Sequence, residues 1–351
     1  MRYLRAWQDT PSAPLGATVP SRRQGAVVPS RRVAPVAAER VRSEVAPIRS
    51  PTPSPGASIL QKKRVAFALA ANQLLSSGTH LIAKGAMTAI GPLPVALLRF
   101  AAASAALLFY QRFRAGAESL ARRDVPLILF LGFLVVPVNQ GCFLFGLSHS
   151  TPSHAALLYA LTPVVVLLLA GRILRERGTW SKLAGMAVAF AGVVVILVER
   201  GLKRDLGVFA GDLLILAAVF GWSLYTVLSK PLLARHDPMT VTTWAIVSGT
   251  ALCLPAFFIP GALPPLRTIG PAVWGGIFYL AIGTSVIAYP LWMYALRHLE
   301  ASKVAVATNT QPILTAALSW IFLREQLTPG FFVGAALILA GVTWVETRRS
   351  A

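Results

Sequence analysis

A chain of 351 residues in which 55% are hydrophobic and only 13% are charged is poorly matched to water, because soluble domains carry about 25% charged residues. Its mean hydropathy of +0.64 points to a lipid bilayer as the solvent for that apolar surface. The net charge of +20 does not indicate nucleic acid: the bases sit in an N-terminal stretch and in short gaps between apolar runs, as in the cytoplasmic segments of membrane proteins.

Residues 1–60 differ from everything after them. They are rich in Pro, Ala, Ser and Arg, include the pairs Arg22-Arg23 and Arg31-Arg32, and lack a helical period, so a disordered basic cytoplasmic tail is expected. Two alternatives stay open. An organellar transit peptide would also be Arg-rich and acid-poor, although the prolines oppose an amphipathic helix, and the start codon could be wrongly assigned.

From Val65 onward apolar runs recur, each about 18–23 residues long and able to cross a ~30 Å hydrocarbon core as helix. They fall near 65–84, 94–112, 125–147, 152–171, 181–199, 210–230, 239–260, 273–295, 302–323 and 329–346. The expected fold class is an all-α membrane protein of ten transmembrane helices. Pro137, Pro163, Pro255, Pro290 and Pro312 lie inside runs and predict local breaks, which membrane helices tolerate where neighbours re-satisfy the backbone. Cys142 and Cys253 also lie inside runs and read as small hydrophobes. No cofactor or metal is expected.

Twelve Lys/Arg precede Val65. If that end is cytoplasmic, the later inner segments hold fourteen more and the outer ones six, namely Lys84, Arg200, Lys203, Arg204, Arg267 and Arg324. The asymmetry favours both termini inside, with the loop after the fifth run as its exception.

The second half copies the first. A shift of 149 aligns Leu147 with Leu296, Ser153 with Ser302, Pro163 with Pro312, Leu174-Arg175-Glu176 with Leu323-Arg324-Glu325, and Gly185 and Gly192 with Gly334 and Gly341. Chance matching of apolar runs does not supply a shared Arg-Glu and a shared proline. Two repeats, 65–200 and 209–346, are expected. Each holds five helices, an odd number, so the second must insert upside down relative to the first, the architecture of alternating-access carriers.

These features resemble the drug/metabolite transporter superfamily, specifically its EamA-type ten-helix members. The resemblance rests on the duplicated "ILRERGTWSKLAGMAVAFAGVVVIL" and "FLREQLTPGFFVGAALILAGVTWV", on "LLRF" in the second run and on "GDLLILAAVFGWSLYTVLSK" in the sixth. The first run departs from the family's common Trp-Gly, carrying Ser77-Gly78 instead. The resemblance implies export or exchange of small metabolites, amino acids among them, through a central cavity with the fifth and tenth helices at the periphery. It also implies an Arg-Phe where Arg99-Phe100 stands.

Candidate cavity residues follow from intramembrane polarity. Asn72, Ser76, Thr79 and His80 share one helical face, which in lipid must look inward to a cavity or a helix contact. Arg99 is the one charge well inside a run; it is functional, paired or snorkelling to the interface. Tyr159, Trp222, Tyr225, Trp244, Tyr289 and Trp292 lie deeper than an interfacial aromatic belt, serving either packing or stacking on an apolar substrate. Asn309 and Gln311 flank the break before Pro312, where freed backbone groups can meet polar ligand atoms. Glu176 and Glu325 read as structural helix-start acids.

Every Asp and Glu lies in the tail, in a loop or near a run's end, Asp212 deepest, leaving His80 and His154 as possible proton relays. No set of paired carboxylates or nucleophile, base and orienter marks an enzyme. The expected function is a secondary transporter exporting or exchanging small metabolites, amino acids first among them and aromatic or apolar ones in particular, monomeric, in a bacterial inner membrane, whose partners are a small-molecule substrate and lipid. An exporter of other metabolites or drugs, a channel, and a membrane enzyme or scaffold are the rivals.

Overall fold

The computed structural model describes residues 55–114, 118–174, 180–202 and 206–347. The expected tail and the Arg175-Glu176 turn fall outside the described residues, apart from the tail's last few positions. Among the described residues the helices group into ten rods. They are α1 (Pro55–Ile90), α2 (Pro92–Phe113), α3 (Arg122–His149), α4 (Pro152–Ile173), α5 (Trp180–Leu202), α6 (Leu206–Leu233), α7 (Pro238–Phe258), α8 (Pro271–His298), α9 (residues 301–323) and α10 (Pro329–Thr347). Six of them, α2, α3, α4, α6, α7 and α8, are long and apolar enough to cross a membrane.

Their side chains are arranged for lipid. Phe67, Phe258 and Phe322 are 73%, 85% and 67% exposed, whereas Asn139, Asp212, Ser223 and Thr243 are completely buried. A water-soluble bundle would invert that distribution. Apolar side chains face outward because the solvent there is hydrocarbon, and polar ones face inward to find partners.

The rods bend where the sequence breaks them. Pro137 lies in a π-helical stretch of α3 (Leu134–Gly141), and a matching π-helical stretch occupies α8 (Tyr279–Ala288) just before Pro290. α4 is interrupted at Ala160-Leu161 before Pro163, and α9 tightens into a 3-10 turn (Val306–Thr310) before Pro312. Under the 149-residue shift these last two breaks coincide. Between α1 and α2 the chain reverses on Gly91 alone, whose φ of +84° is costly for any residue with a Cβ.

The halves are interleaved rather than side by side. α1 packs on α8 and α9, and α6 packs on α3 and α4, the equivalent pairs; α2 meets α8 and α7 meets α3. α5 and α10 pack mainly on each other, through paired glycines. A Cβ on Gly192 would stand 2.7 Å from the Gly334 carbonyl oxygen, and one on Gly341 would stand 2.5 Å from that of Gly185. These are the four glycines that the repeat aligns, so each contact is the other's image.

The same symmetry appears in single hydrogen bonds. Asn72 of α1 donates to the Ala288 carbonyl of α8 at 2.7 Å, and Asn139 of α3 donates to the Ala218 carbonyl of α6 at 2.9 Å. Asn139 and Ala288 are related by the 149 shift; Asn72 and Ala218 are related by 146, so the α1/α6 offset is three residues shorter. Each pair ties a central helix to a π-helical one, with the Asn on opposite partners.

Candidate functional site

The π-helical stretches and the α4 and α9 breaks surround one small cavity. Regular helices would present only a seam of side chains there. A π-helical turn rotates the residues after it and frees backbone groups, which is why such turns concentrate at functional sites.

One wall is polar. α1 contributes Asn72, Ser76, Thr79 and His80, α2 contributes Arg99, and the α3 π-turn contributes Asn139 and Gln140. An aromatic part of the lining comes from Trp222 of α6 and Tyr289 and Trp292 of α8; Phe143, Tyr159, Thr284, Thr308 and Gln311 complete it. Several linings are repeat images: Ser76 with Trp222, Gln140 with Tyr289, Phe143 with Trp292, and Tyr159 with Thr308. The backbone is thus near-symmetric while the chemistry on its two sides is not.

Arg99 is the centre of the polar wall. It is 1% exposed. Its Nη1 donates to Gln140 Oε1 at 2.7 Å, Nη2 to Thr284 Oγ1 at 2.7 Å and Nε to Ser285 Oγ at 3.2 Å, and the guanidinium carbon lies 4.9 Å from the Phe100 ring centroid. Among the described residues no carboxylate pairs with it. Neutral acceptors engage three of its N–H groups but leave its charge, an arrangement that favours an incoming anion.

The amides form a relay behind this wall. Gln73 Nε2 donates to Asn72 Oδ1 at 2.9 Å and Gln311 Nε2 to Gln73 Oε1 at 2.9 Å; Gln140 Nε2 donates to Asn139 Oδ1 at 2.7 Å, and Asn139 Nδ2 to the Tyr159 hydroxyl at 2.7 Å. Such chains hold side chains in single rotamers. His80 is different: its ring stands edge-on to Phe143 and Tyr159, at centroid distances of 5.2 and 5.8 Å, and both ring nitrogens are buried without a hydrogen-bond partner.

On the aromatic wall Trp222 lies 5.2 Å from Tyr289 and 5.5 Å from Trp292, ring to ring. Trp292 Nε1 donates to Thr226 Oγ1 at 3.3 Å.

Of the residues singled out from the sequence, the structure gathers Asn72, Ser76, His80, Arg99, Tyr159, Trp222, Tyr289, Trp292 and Gln311 on this cavity. Tyr225 lies behind Trp222, 5.5 Å away and fully buried. Trp244 is half-buried on α7, and Asn309 sits beside Thr308 in the 3-10 turn without lining the cavity. The residues that sequence reasoning did not single out are Asn139, Gln140, Phe143, Thr284 and Thr308. The repeat itself held the signal for three of them, since Tyr289, Trp292 and Tyr159 project onto Gln140, Phe143 and Thr308.

Polar clusters close both ends of the bundle. At the α1/α3 end, Lys84 Nζ donates to the carbonyls of Leu147, Ser148 and Ser150 at 2.8–3.0 Å. Nearby, Glu325 accepts from Ser153 Oγ at 2.8 Å and lies 4.0 Å from His154, while Asp212 accepts from Ser150 Oγ at 2.6 Å. At the opposite end Lys230 donates to the carbonyls of Leu296 and Leu299. There Asp124 binds Arg235 and His236, each at 2.7 Å, and Arg114 binds Asp237 at 2.6 Å. Asp237 also caps α7 through the Met239 amide. Burial pushes its carboxyl up, but Arg114 and the cap outweigh that and hold it below its usual value.

The chain matches the EamA-like transporter family over residues 63–198 and again over 209–347. It is 31% identical to a "Probable terminal-alkyne amino-acid exporter" of Streptantibioticus cattleyicolor, over 66% of this chain and 77% of that protein. It is 29% identical to a "Probable amino-acid metabolite efflux pump" of Escherichia coli, over 72% and 84%. It is 27% identical to the "Uncharacterized transporter YyaM" of Bacillus subtilis, over 77% and 89%. A solved structure titled "Crystal structure of protein" shares the fold with a TM-score of 0.60 at 20% identity, covering 81% of this chain and 97% of that one.

Proposed function

The chain belongs to the EamA-like transporter family, and from that premise we propose that it exports or exchanges small carboxylate-bearing metabolites, amino acids among them, by alternating access through the central cavity. The observation that carries this reading is Arg99, buried on the cavity wall with three neutral partners and no described counter-ion. A cation so placed within the membrane is expensive unless it meets a charge of opposite sign, and a substrate carboxylate is that charge. The Trp222, Tyr289 and Trp292 wall suits an apolar or aromatic substrate body. Two relatives named as amino-acid exporters support the same class.

Ten crossings with both termini in the cytoplasm of a bacterial cell complete the proposal, on the strength of the Lys/Arg asymmetry and of the odd number of helices in each repeat. His80 is the cavity group able to carry a coupled proton; without such coupling the protein works as a facilitator or exchanger. Counterflow of labelled amino acids into proteoliposomes tests the reading. Accumulation against an unlabelled pool, lost in Arg99→Gln and kept in part by Arg99→Lys, is the expected result; flux indifferent to the opposing pool would mark a channel instead.

A further inference from the structure

Building on that reading of the cavity, we propose that the preferred substrate is a net-monoanionic carboxylate with an apolar or aromatic body, and that a zwitterionic amino acid is the poorer fit. Charge points there first. Arg99 is the permanent charge on the cavity wall, and among the described residues no Asp or Glu lines that wall. A carboxylate neutralises the guanidinium through charge-assisted hydrogen bonds. A zwitterion does the same but brings a second cation into a water-poor space, where an unpaired charge is costly.

Hydrogen-bond capacity agrees. An ammonium has three donors to satisfy, and the amide oxygens around the cavity each accept one hydrogen bond already, leaving one lone pair apiece: Asn72 from Gln73, Gln73 from Gln311, Asn139 from Gln140 and Gln140 from Arg99. Aromatic faces could hold a cation. Tyr289, however, lines the same cavity as Arg99, so a cation there would share it with the guanidinium, and the Trp222 ring is flanked by Tyr289 and Trp292. His80 has two buried, unpartnered ring nitrogens, and in either neutral tautomer one of them can donate to a second carboxylate oxygen.

Three probes with one benzene ring separate the possibilities: 3-phenylpropanoate has the carboxylate only, phenylalanine both charges, and phenethylamine the ammonium only. Binding to the purified full-length chain is read by quenching of tryptophan fluorescence and by the shift in melting temperature. The expected order is 3-phenylpropanoate at least tenfold tighter than phenylalanine, with phenethylamine unbound. Arg99→Lys keeps the order and Arg99→Gln abolishes it. Phenylalanine binding as tightly as 3-phenylpropanoate overturns the preference for monoanions but leaves a carboxylate transporter standing. Phenethylamine binding as tightly overturns the role of Arg99 as well. No binding by any probe overturns the inference, and amino-acid counterflow then decides the transport reading on its own.

Discussion

Lys84 and Lys230 make the same contact at opposite ends of the molecule. Lys84, six residues before the end of α1 at Ile90, caps the carbonyls of Leu147, Ser148 and Ser150, and Lys230, near the end of α6, caps those of Leu296 and Leu299. The repeat shift carries Leu147 onto Leu296 and Ser150 onto Leu299. A cation at a helix C-terminus meets both the free carbonyls and the negative end of the helix dipole, and each hydrogen bond to a charged donor is worth about 1.5–3 kcal/mol.

If the halves exchange shapes during transport, the two lysines stabilise opposite ends of the cycle. Lys84→Met and Lys230→Met should therefore shift labelling of a cysteine at Ser76 by impermeant thiol reagents in opposite directions, one variant raising outside access and the other inside access. Transport should fall several-fold in both. Shifts in the same direction would reduce the lysines to simple stability caps.

The α5–α10 pair offers a control remote from the cavity. Gly192→Leu or Gly341→Leu forces side chains into backbone only 2.5–2.7 Å from the added Cβ. Overpacking of this kind costs about 1–3 kcal/mol. Melting temperature and transport should fall together, with substrate preference unchanged; a changed preference at preserved stability would show that these helices shape the site.

Much of this organisation is legible in the sequence because its physics is periodic. Long apolar runs, a duplicated Arg-Glu and prolines at 163 and 312 announce spans, a repeat and breaks before any coordinates are known. The limits are equally physical. α1 begins at Pro55 rather than Val65, because Gln61, Lys62, Lys63 and Arg64 extend a helix without extending its apolar stripe. Asn139, Gln140 and Thr284 reach the cavity through π-helical turns, whose register a 3.6-residue period does not describe. Trp244 shows the converse. Depth within a run does not say which way a ring faces.

The Arg114–Asp237 pair gives a pH prediction. Asp237 has its carboxyl held below the ordinary 3.8, so its contribution is present above that value and is lost as pH falls below it. Asp237→Asn should lower the melting temperature at pH 7, and the gap to the unaltered protein should narrow as the pH falls below 3.8. Both side chains are partly exposed, so the effect should be modest and weaken in salt. A gap that stays constant as the pH falls below that value would show that the loss does not come from the Asp237 charge.

Orientation can be tested without knowing the substrate. Reporter fusions placed after Gly201, between α5 and α6, should read as extracytoplasmic, since five crossings separate that point from the basic N-terminal end. A cytoplasmic reading there would remove both the inverted repeat and the inside-out assignment of the two lysine caps.

His80 and Trp222 separate site from scaffold most directly. His80 makes edge contacts with Phe143 and Tyr159 and no hydrogen bond through either ring nitrogen, so His80→Ala removes little that the fold depends on. Transport should drop at least tenfold while the melting temperature moves by only a few degrees. Trp222 meets Tyr225, Tyr289 and Trp292, so Trp222→Ala empties a packed aromatic cluster and should cost about 3–5 kcal/mol besides its effect on substrate. Trp222→Phe retains most of the packing and isolates the effect on binding. Cysteines at 72, 76, 80 and 222 should react with small polar thiol reagents and be protected by substrate, whereas one at 225, behind the Trp222 ring, should not. If the first four are unreactive from both sides of the membrane, these residues are packed core and the cavity is not the transport path.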